Sequence, residues 1–281
     1  MNSNSPFLVK SFEELQALFE YDQARPLNLE VVGSENKNGI IIQDINYDSL
    51  AGGKNKAYLV MPNAKGSFPG ILFVHPGPGD RSSFLENAVK LAEEKIVSLL
   101  VEAPWAQAEA WGKTMGEPEH DYQEFIKIAK DLRRALDLLN SLPEVDNGRI
   151  GYVGHSFGGI FGGLLAGLEK RVSTYVLMSA VGRFTDVAAL NIPTLTGEAL
   201  AQYGQVLQPI EAIYYIDKAA PATLFFQFGL EDKGFGREKF EEYVQATSNP
   251  KQVKWYQADH YSVNEVGRSD RIKWLLEQLQ N

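Results

Sequence analysis

The segment Gly154-His155-Ser156-Phe157-Gly158-Gly159 carries the strongest chemical signal in the sequence, because it fits the pattern G-x-S-x-G. An apolar, strand-like run ends directly before it, and a helical pattern of small and apolar residues follows it. A strand, a sharp turn and a helix in this order lift a serine hydroxyl above the edge of a sheet. We therefore predict that Ser156 is a nucleophile; the competing interpretation is a glycine-rich turn with a capping serine.

A serine hydroxyl needs a base that takes its proton, and the sequence offers one histidine in a suitable position. In the architecture that carries this turn, the chain order is serine, then an acid, then histidine. Of the four histidines, His75, His120, His155 and His260, only His260 follows Ser156. His260 is therefore the predicted base, and the competing interpretation is an ordinary surface histidine.

The acid that orients this base is predicted to be Asp232, although several carboxylates are available. Asp232 follows the apolar run 223–228, so its carboxylate would lie at the carboxyl edge of a sheet, where catalytic groups collect. The alternatives that the sequence leaves open are Glu231, Asp186 and Asp259.

Two backbone N–H groups are predicted to form an oxyanion hole. One belongs to Phe157, at the start of the helix after the nucleophile. The other should come from the loop His75-Pro76-Gly77-Pro78-Gly79, where both prolines lack an N–H, so Gly77 is the predicted donor. His75 is expected either to hold the backbone of this loop by hydrogen bonds or to act in acid–base chemistry.

The elements that must position these residues alternate between short apolar runs and amphipathic helices from Pro69 onward. This alternation predicts an α/β fold with a mostly parallel, twisted sheet and helices on both faces. Residues 39–47 and 56–61 are predicted to form a hairpin, and residues 1–38 a helical extension before a domain of residues 39–281. Because there is neither a G-x-G-x-x-G at a strand-to-helix turn nor a P-loop, the sequence argues against nucleotide binding.

Two long connections are predicted to shape a substrate pocket. Residues 181–222, here called the lid segment, are longer than a simple connection and are expected to cover the nucleophile. Aromatic side chains in the lid segment and in the loop 103–120 suggest an apolar pocket for a small acyl or aryl group; the competing interpretation is that they complete the core. The predicted pocket residues are His75, Trp105, Trp111 and Tyr203.

These motifs together resemble the α/β-hydrolase superfamily, and within it the dienelactone-hydrolase-like and serine esterase branch. The resemblance runs from about Gly39 to the C-terminus and rests on four segments: His75-Pro76-Gly77, residues 145–159 (VDNGRIGYVGHSFGG), Gly229-Leu230-Glu231-Asp232 and Asp259-His260. It implies that Ser156 is the nucleophile, Asp232 the acid and His260 the base. Dienelactone hydrolases proper use a cysteine nucleophile, which this chain lacks, so the resemblance argues against a dienelactone substrate. The His-Pro that replaces the usual His-Gly implies a stiffer oxyanion loop.

The reaction expected from these residues is hydrolysis of a small carboxylic ester through an acyl-enzyme, without a metal or organic cofactor. The alternatives are a thioesterase, amidase or acyltransferase with the same triad, and a non-catalytic binding protein with this fold. A small-molecule substrate is the expected partner, and the sequence leaves the oligomeric state open.

Composition excludes several other classes. The 281 residues carry 27 Lys and Arg against 36 Asp and Glu, a formal net charge of −9, so nucleic acid and anionic membranes are not expected partners. The sequence has no cysteine, which excludes disulfides and thiolate metal sites and fits a reducing cytosol. Neither a signal peptide nor an apolar span of about 20 residues is visible, so a cytoplasmic location is expected.

Overall fold

A computed structural model describes residues 11–107, 112, 114–261 and 265–280. Its centre is a mixed sheet that brings the carboxyl ends of several strands to one edge. Within the described residues, the strands are β1 (Glu30–Lys37), β2 (Ile40–Asp48), β3 (Lys54–Pro62), β4 (Phe68–Val74), β5 (Val97–Val101), β6 (Val145–His155), β7 (Val172–Met178), β8 (Thr223–Gly229) and β9 (Lys251–Tyr256).

The spatial order of the sheet is β1-β2-β3-β5-β4-β6-β7-β8-β9. The pairs along β1-β2-β3-β5 are antiparallel, and every pair from β5 through β4 to β9 is parallel. The predicted hairpin is confirmed, because Ile40 to Asp48 pairs with Pro62 to Lys54 in register. The predicted, mostly parallel sheet is confirmed as well.

Helices cover both faces of this sheet, as its apolar strands require. They are α1 (Phe12–Ala17), α2 (Leu85–Glu93), α3 (Pro118–Ser141), α4 (Phe157–Leu168), α5 (Phe184–Asn191), α6 (Gly197–Leu207), α7 (Arg237–Ala246) and α8 (Glu265–Leu279). Alternate residues of β4 show the two layers: Ile71 and Phe73 pack in the core beneath α2 and α8, whereas Leu72 and Val74 face the core that contains α3 and α4. Within the described ranges, no helix has the length and apolar character that crossing a membrane requires.

The helical extension predicted for residues 1–38 is wrong for its second half. Only Phe12–Ala17 is helical in the described part, with Ser11 and Glu14 forming the capping box that its sequence suggests. Glu30–Lys37 instead forms β1, which pairs with β2 at the edge of the sheet. Because every residue of β1 is at least partly exposed, this strand lacks the apolar alternation by which strands are recognised in a sequence.

The lid segment contains α5, α6 and three short 3-10 turns before β8. Helix α6 packs against α3, and α5 contacts α6. The lid segment is therefore built from helices and turns. These pack on the face of the sheet that α3 and α4 cover. Its action as a lid stays a prediction.

Backbone approaches backbone closely where β6 ends and α4 begins. A Cβ atom added to Gly158 would lie 2.2 Å from the carbonyl oxygen of Val74 in β4, and one added to Gly154 would lie 2.2 Å from the carbonyl oxygen of Gly158. Both distances are far below van der Waals contact and both neighbours are backbone atoms. Glycine at these two positions is therefore a steric requirement of the turn.

We expect Gly158→Ala to lower the free energy of unfolding by about 3 kcal/mol, since backbone would have to move to admit the methyl group. The matched control is Gly33→Ala, where the nearest atom to an added Cβ is 3.6 Å away, and its cost should stay within about 0.5 kcal/mol. Urea unfolding of both variants measures the difference. Equal stability of the two variants would contradict the steric argument.

Candidate active site

Ser156 occupies a strained backbone conformation between β6 and α4. Its φ and ψ angles are 53° and −114°, a region that non-glycine residues rarely adopt. Its N–H donates a hydrogen bond to the carbonyl oxygen of Met178, at 2.8 Å, and its carbonyl oxygen accepts from the N–H of Ile160, at 2.9 Å. The turn is therefore fixed on both sides.

The structure brings His260 to the serine from a loop that follows β9. The Nε2 atom of His260 lies 3.0 Å from Ser156 Oγ, and its Nδ1 atom lies 2.7 Å from Asp232 Oδ2. Because an ionised carboxylate only accepts hydrogen bonds, the proton of a neutral imidazole must sit on Nδ1. The lone pair of Nε2 then faces the serine hydroxyl, which is the arrangement that proton removal requires.

Asp232 is held in place by its second oxygen. Its Oδ1 atom accepts hydrogen bonds from the N–H groups of Gly234, at 2.9 Å, and Phe235, at 3.3 Å. Burial works against ionisation of this carboxyl group, but the bond and charge of His260, together with these two N–H groups, outweigh it and lower the pKa of Asp232 below its ordinary value. The group is thus suited to remain a carboxylate beside the imidazole.

The alternative acids have other partners. Asp186 forms an ion pair with Lys239 at 2.8 Å, Glu231 accepts a bond from Gln257 at 3.3 Å, and Asp259 accepts one from the N–H of Tyr261 at 2.9 Å. Only Asp232 is hydrogen-bonded to His260 among the four candidates. Across the described ranges, no group of three His, Asp or Glu side chains could hold a metal ion.

Phe157 and Gly77 face the same space as the serine. Phe157 is the first residue of α4, and the first N–H groups of a helix have no acceptor within the helix. Gly77 lines the cavity beside Ser156, and a Cβ there would lie 3.4 Å from the Trp105 ring and 3.6 Å from the Phe157 ring. The backbone of both residues can thus approach a group bound at Ser156.

His75 is a buried residue that stabilises the loop around Gly77. Its Nε2 atom accepts a hydrogen bond from the N–H of Ala103 at 3.0 Å, so Nδ1 carries the proton and donates to the carbonyl oxygen of Pro76 at 2.8 Å. Burial lowers the pKa of His75, which favours this neutral form. Its expected role in holding the backbone agrees with these bonds, whereas the expectation that it lines the pocket is wrong, because it lies beneath the loop.

A cavity of about 800 Å³ opens above Ser156 and His260. Its lining residues come from the Gly77 loop, the loop before α3, helix α5 of the lid segment and the loops after β8 and β9: Gly77, Pro78, Trp105, Met115, Ser156, Phe157, Val187, Leu190, Asn191, Glu231, Lys233, Gly234, Phe235, Asp259, His260 and Tyr261. The floor is apolar, since Trp105 stacks on Phe157 with ring centroids 5.3 Å apart. Among the described lining residues, charged side chains lie where the loops after β8 and β9 border the cavity.

The other three predicted pocket residues differ in where they lie. Trp105 lines the cavity as expected. Tyr203 does not: it is fully buried between α6 and α3, where its hydroxyl donates to Asp121 Oδ2 at 2.8 Å, so the expectation was wrong and the core interpretation applies. Trp111 lies outside the described residues.

His155 is a site residue that the sequence reasoning missed, because it entered only as the variable position of the motif. Its Nε2–H donates to the carbonyl oxygen of His260 at 2.7 Å, which ties the loop of His260 to the end of β6. Burial, and then the neighbouring His260, lower the pKa of His155 to about 3, so the ring stays neutral. The spacing of the motif gives no sign of this contact, which spans 105 positions.

Glu211 anchors the start of α5, the helix that supplies Val187, Leu190 and Asn191 to the cavity. Its buried carboxylate accepts bonds from the N–H groups of Phe184, at 2.5 Å, and Thr185, at 3.1 Å, and from the Thr185 hydroxyl. Burial raises the pKa of Glu211 to about 7, against the effect of these bonds. A titrating group therefore supports one wall of the cavity.

The mostly parallel sheet, the strained serine turn and the order of Ser156, Asp232 and His260 define an α/β hydrolase fold. A profile of the dienelactone hydrolase family matches residues 56–271, and the chain belongs to that family. This makes it a member of a family of hydrolases, as the sequence motifs predicted.

The individual proteins that this chain resembles share only a small part of its sequence. YtaP of Bacillus subtilis (strain 168), a protein assigned as a hydrolase, is 27% identical over 173 residues, which are 54% of this chain and 57% of YtaP. The match thus spans little more than half of that relative. The acetyl xylan esterase from Paenibacillus sp. R4 superposes with a TM-score of 0.76 at 18% identity, over 95% of this chain and 93% of that chain. Acetyl xylan esterase 1 from Thermoanaerobacterium sp. JW/SL YS485 gives 0.74 at 17% identity with the same coverage. At these identities, the likeness shows the fold.

We expect His155→Phe to lower kcat for an ester substrate by about tenfold with little change in KM, because one hydrogen bond to the His260 loop is lost while the ring volume is kept. His155→Gln retains a donor and should recover most of the lost kcat. Steady-state kinetics on a p-nitrophenyl ester, with thermal unfolding of each variant alongside, make the comparison. Equal losses in both variants would exclude the hydrogen bond as the cause.

We expect deprotonation of Glu211 to lower the free energy of unfolding as the pH rises. Because its folded pKa of about 7 lies above its ordinary value of 4.5, the folded state binds the proton more tightly, and its stabilising effect is lost between these values as pH increases. Glu211→Gln lacks this titration. Between pH 4.5 and 7.5, its free energy of unfolding relative to that of wild type should therefore rise by on the order of 3 kcal/mol. Urea unfolding across this range checks it, with Glu198→Gln, an exposed change on α6, as control. Parallel pH profiles for wild type and Glu211→Gln would contradict the prediction.

Proposed function

We propose that the protein hydrolyses small carboxylic esters through an acyl-enzyme on Ser156. The observation that carries the proposal is the continuous hydrogen-bond chain from Ser156 Oγ to His260 Nε2, 3.0 Å, and from His260 Nδ1 to Asp232 Oδ2, 2.7 Å. Nucleophile, base and orienting acid in mutual contact are what acyl transfer by a serine requires.

In the first half of the reaction, His260 takes the proton of Ser156 as Oγ attacks the ester carbonyl carbon. The imidazolium that forms is stabilised by the Asp232 carboxylate. It then donates the proton to the leaving alcohol, whose C–O bond breaks to give the acyl-enzyme. In the second half, His260 removes a proton from water, the hydroxide adds to the acyl carbon, and Ser156 leaves with its proton restored.

The negative charge that develops on the carbonyl oxygen is proposed to be held by the N–H groups of Phe157 and Gly77. Support comes from the position of Phe157 at the start of α4, where the helix dipole adds a partial positive charge. The hydrogen bond from His75 Nδ1 to the carbonyl oxygen of Pro76 limits movement of the Gly77 loop. A preorganised donor of this kind contributes about 3–4 kcal/mol to transition-state stabilisation.

The proposed substrates are esters with a small acyl or aryl group. The cavity of about 800 Å³, with Trp105, Phe157 and Val187 in its wall, suits such groups. A serine at the nucleophile position, in place of the cysteine of dienelactone hydrolases proper, disfavours dienelactones. The names of the similar solved structures, acetyl xylan esterases, agree with ester chemistry. The lid segment is proposed to cover this cavity through α5.

We expect a fluorophosphonate probe to add once to the wild-type chain, at Ser156, and Ser156→Ala to abolish both the adduct and the turnover of short p-nitrophenyl esters. Asp232→Asn should lower kcat by about 10⁴-fold, because an amide can hold the imidazole in the wrong tautomer. Peptide mapping by mass spectrometry and steady-state kinetics measure these effects. Ser34→Ala, an exposed change on β1, is the control and should behave as wild type.

The same experiment separates the competing functions. Thioester and amide analogues with the same acyl group, and an alcohol as acyl acceptor, are compared with the ester under identical conditions. Faster cleavage of the thioester or amide, or preferential transfer to the alcohol, would replace the ester proposal with one of those activities. A folded wild-type protein with neither adduct nor turnover would overturn the hydrolase proposal and favour a binding role.

A further inference from the structure

Arg271, on α8, is a buried cation. Only 3% of the residue is exposed. Its guanidinium donates to two neutral amide oxygens, Gln227 Oε1 at 2.8 Å and Asn87 Oδ1 at 2.9 Å. Its Nε–H has no acceptor among the residues that the structure describes. Three of its five N–H groups thus remain outside these two bonds.

No carboxylate in the described ranges forms an ion pair with Arg271. The adjacent Asp270 pairs with Lys254 at 2.9 Å, and the nearby Arg268 takes Glu86 and Glu265. Burial, with the charge of Arg268 in addition, lowers the pKa of Arg271 to about 10. A buried cation without an anion is unfavourable, since burial removes its hydration and supplies no opposite charge.

The other buried arginines of the described residues lie beside carboxylates. Arg133 lies 3.4 Å from Glu169 Oε2, and Arg134 lies 3.6 Å from Asp137 Oδ2. The protein therefore pairs buried guanidinium groups with carboxylates in its other layer. Arg271 departs from this pattern.

A cavity of about 190 Å³ adjoins this cation. It is lined by Pro76, Ser83, Phe84, Asn87, His155, Met178, Tyr261, Arg268 and Arg271. None of these residues is acidic, and the polar ones are two cations, an amide, an imidazole and two hydroxyls. Exposed Ser83 and Tyr261 stand at its rim, so it can be reached from solvent. Tyr261 also lines the larger cavity above Ser156, which makes the two cavities neighbours.

We propose that this small cavity is a binding site for a small oxyanion, of the size of a carboxylate or phosphate, held chiefly by Arg271. The planar guanidinium presents parallel N–H donors, which match the paired oxygens of such anions. A volume of 190 Å³ corresponds to about six waters, so it admits acetate or inorganic phosphate. The bound anion would supply the negative charge that no carboxylate of the described residues provides to Arg271.

The site is separate from the proposed ester chemistry and has its own readout. Acetate and inorganic phosphate are titrated against thermal unfolding of the full chain, with sodium chloride keeping the ionic strength constant. We expect at least one of the two oxyanions to raise the unfolding midpoint saturably, by about 5 °C at a hundredfold excess over its Kd, relative to chloride alone.

Three variants tie this response to the cavity. Arg271→Met, which removes the charge at similar volume, should abolish the shift, whereas Arg149→Met, at a guanidinium paired with Asp146 far from the cavity, should keep it. If Arg271→Met fails to fold, Asn87→Asp decides the question. It places a carboxylate 2.9 Å from Arg271 Nη2, so it should raise the midpoint in anion-free buffer and weaken anion binding at least tenfold.

Two results would overturn the proposal. One is a wild-type midpoint that neither oxyanion moves beyond the effect of chloride. The other is an equal shift in wild type, Arg271→Met and Asn87→Asp, which would make the response a general salt effect. Neither result bears on whether Ser156 reacts with esters, because unfolding is measured without a substrate.

Discussion

The site depends on the close approach of β6 and α4 on either side of Ser156. With glycine at 154 and 158, backbone meets backbone, and the serine is left in a conformation that few residues tolerate. The strain is held by bonds from both directions, including one from the Tyr152 hydroxyl to the carbonyl oxygen of Gly158 at 2.7 Å. A turn whose backbone is fixed in this way loses little freedom when a substrate binds, so the position of Ser156 does not have to be created during the reaction.

The three histidines near this turn make different contacts. His75 and His155 are buried, neutral and bonded to backbone, one beneath the Gly77 loop and the other beneath the loop of His260. His260 alone among the three has a ring nitrogen directed at the serine hydroxyl. Two histidines thus hold the loops between which a third can transfer protons.

Much of the site could be predicted from the sequence because chain order is informative in a parallel sheet. Residues that follow β6, β8 and β9 must meet at one edge, so Ser156, Asp232 and His260 could be placed near one another without coordinates. Side-chain direction could not be predicted in the same way. Tyr203 carries an aromatic ring suited to a pocket, yet its hydroxyl donates a hydrogen bond to Asp121 in the core.

Two other features, strand β1 and the unpaired Arg271, could not be predicted because each depends on contacts that are absent from the described part of the folded structure. Strand β1 has no buried face, so its residues give no pattern to recognise, and pairing with β2 alone makes it a strand. The isolation of Arg271 is of the same kind, since a sequence shows charges but not which of them lack partners. The separation of Ser156 from His260 by 104 positions has a further consequence for biosynthesis: the turn that carries the proposed nucleophile leaves the ribosome well before the proposed base is translated. The contact between Ser156 and His260 can therefore form only after the chain has been synthesised past β9.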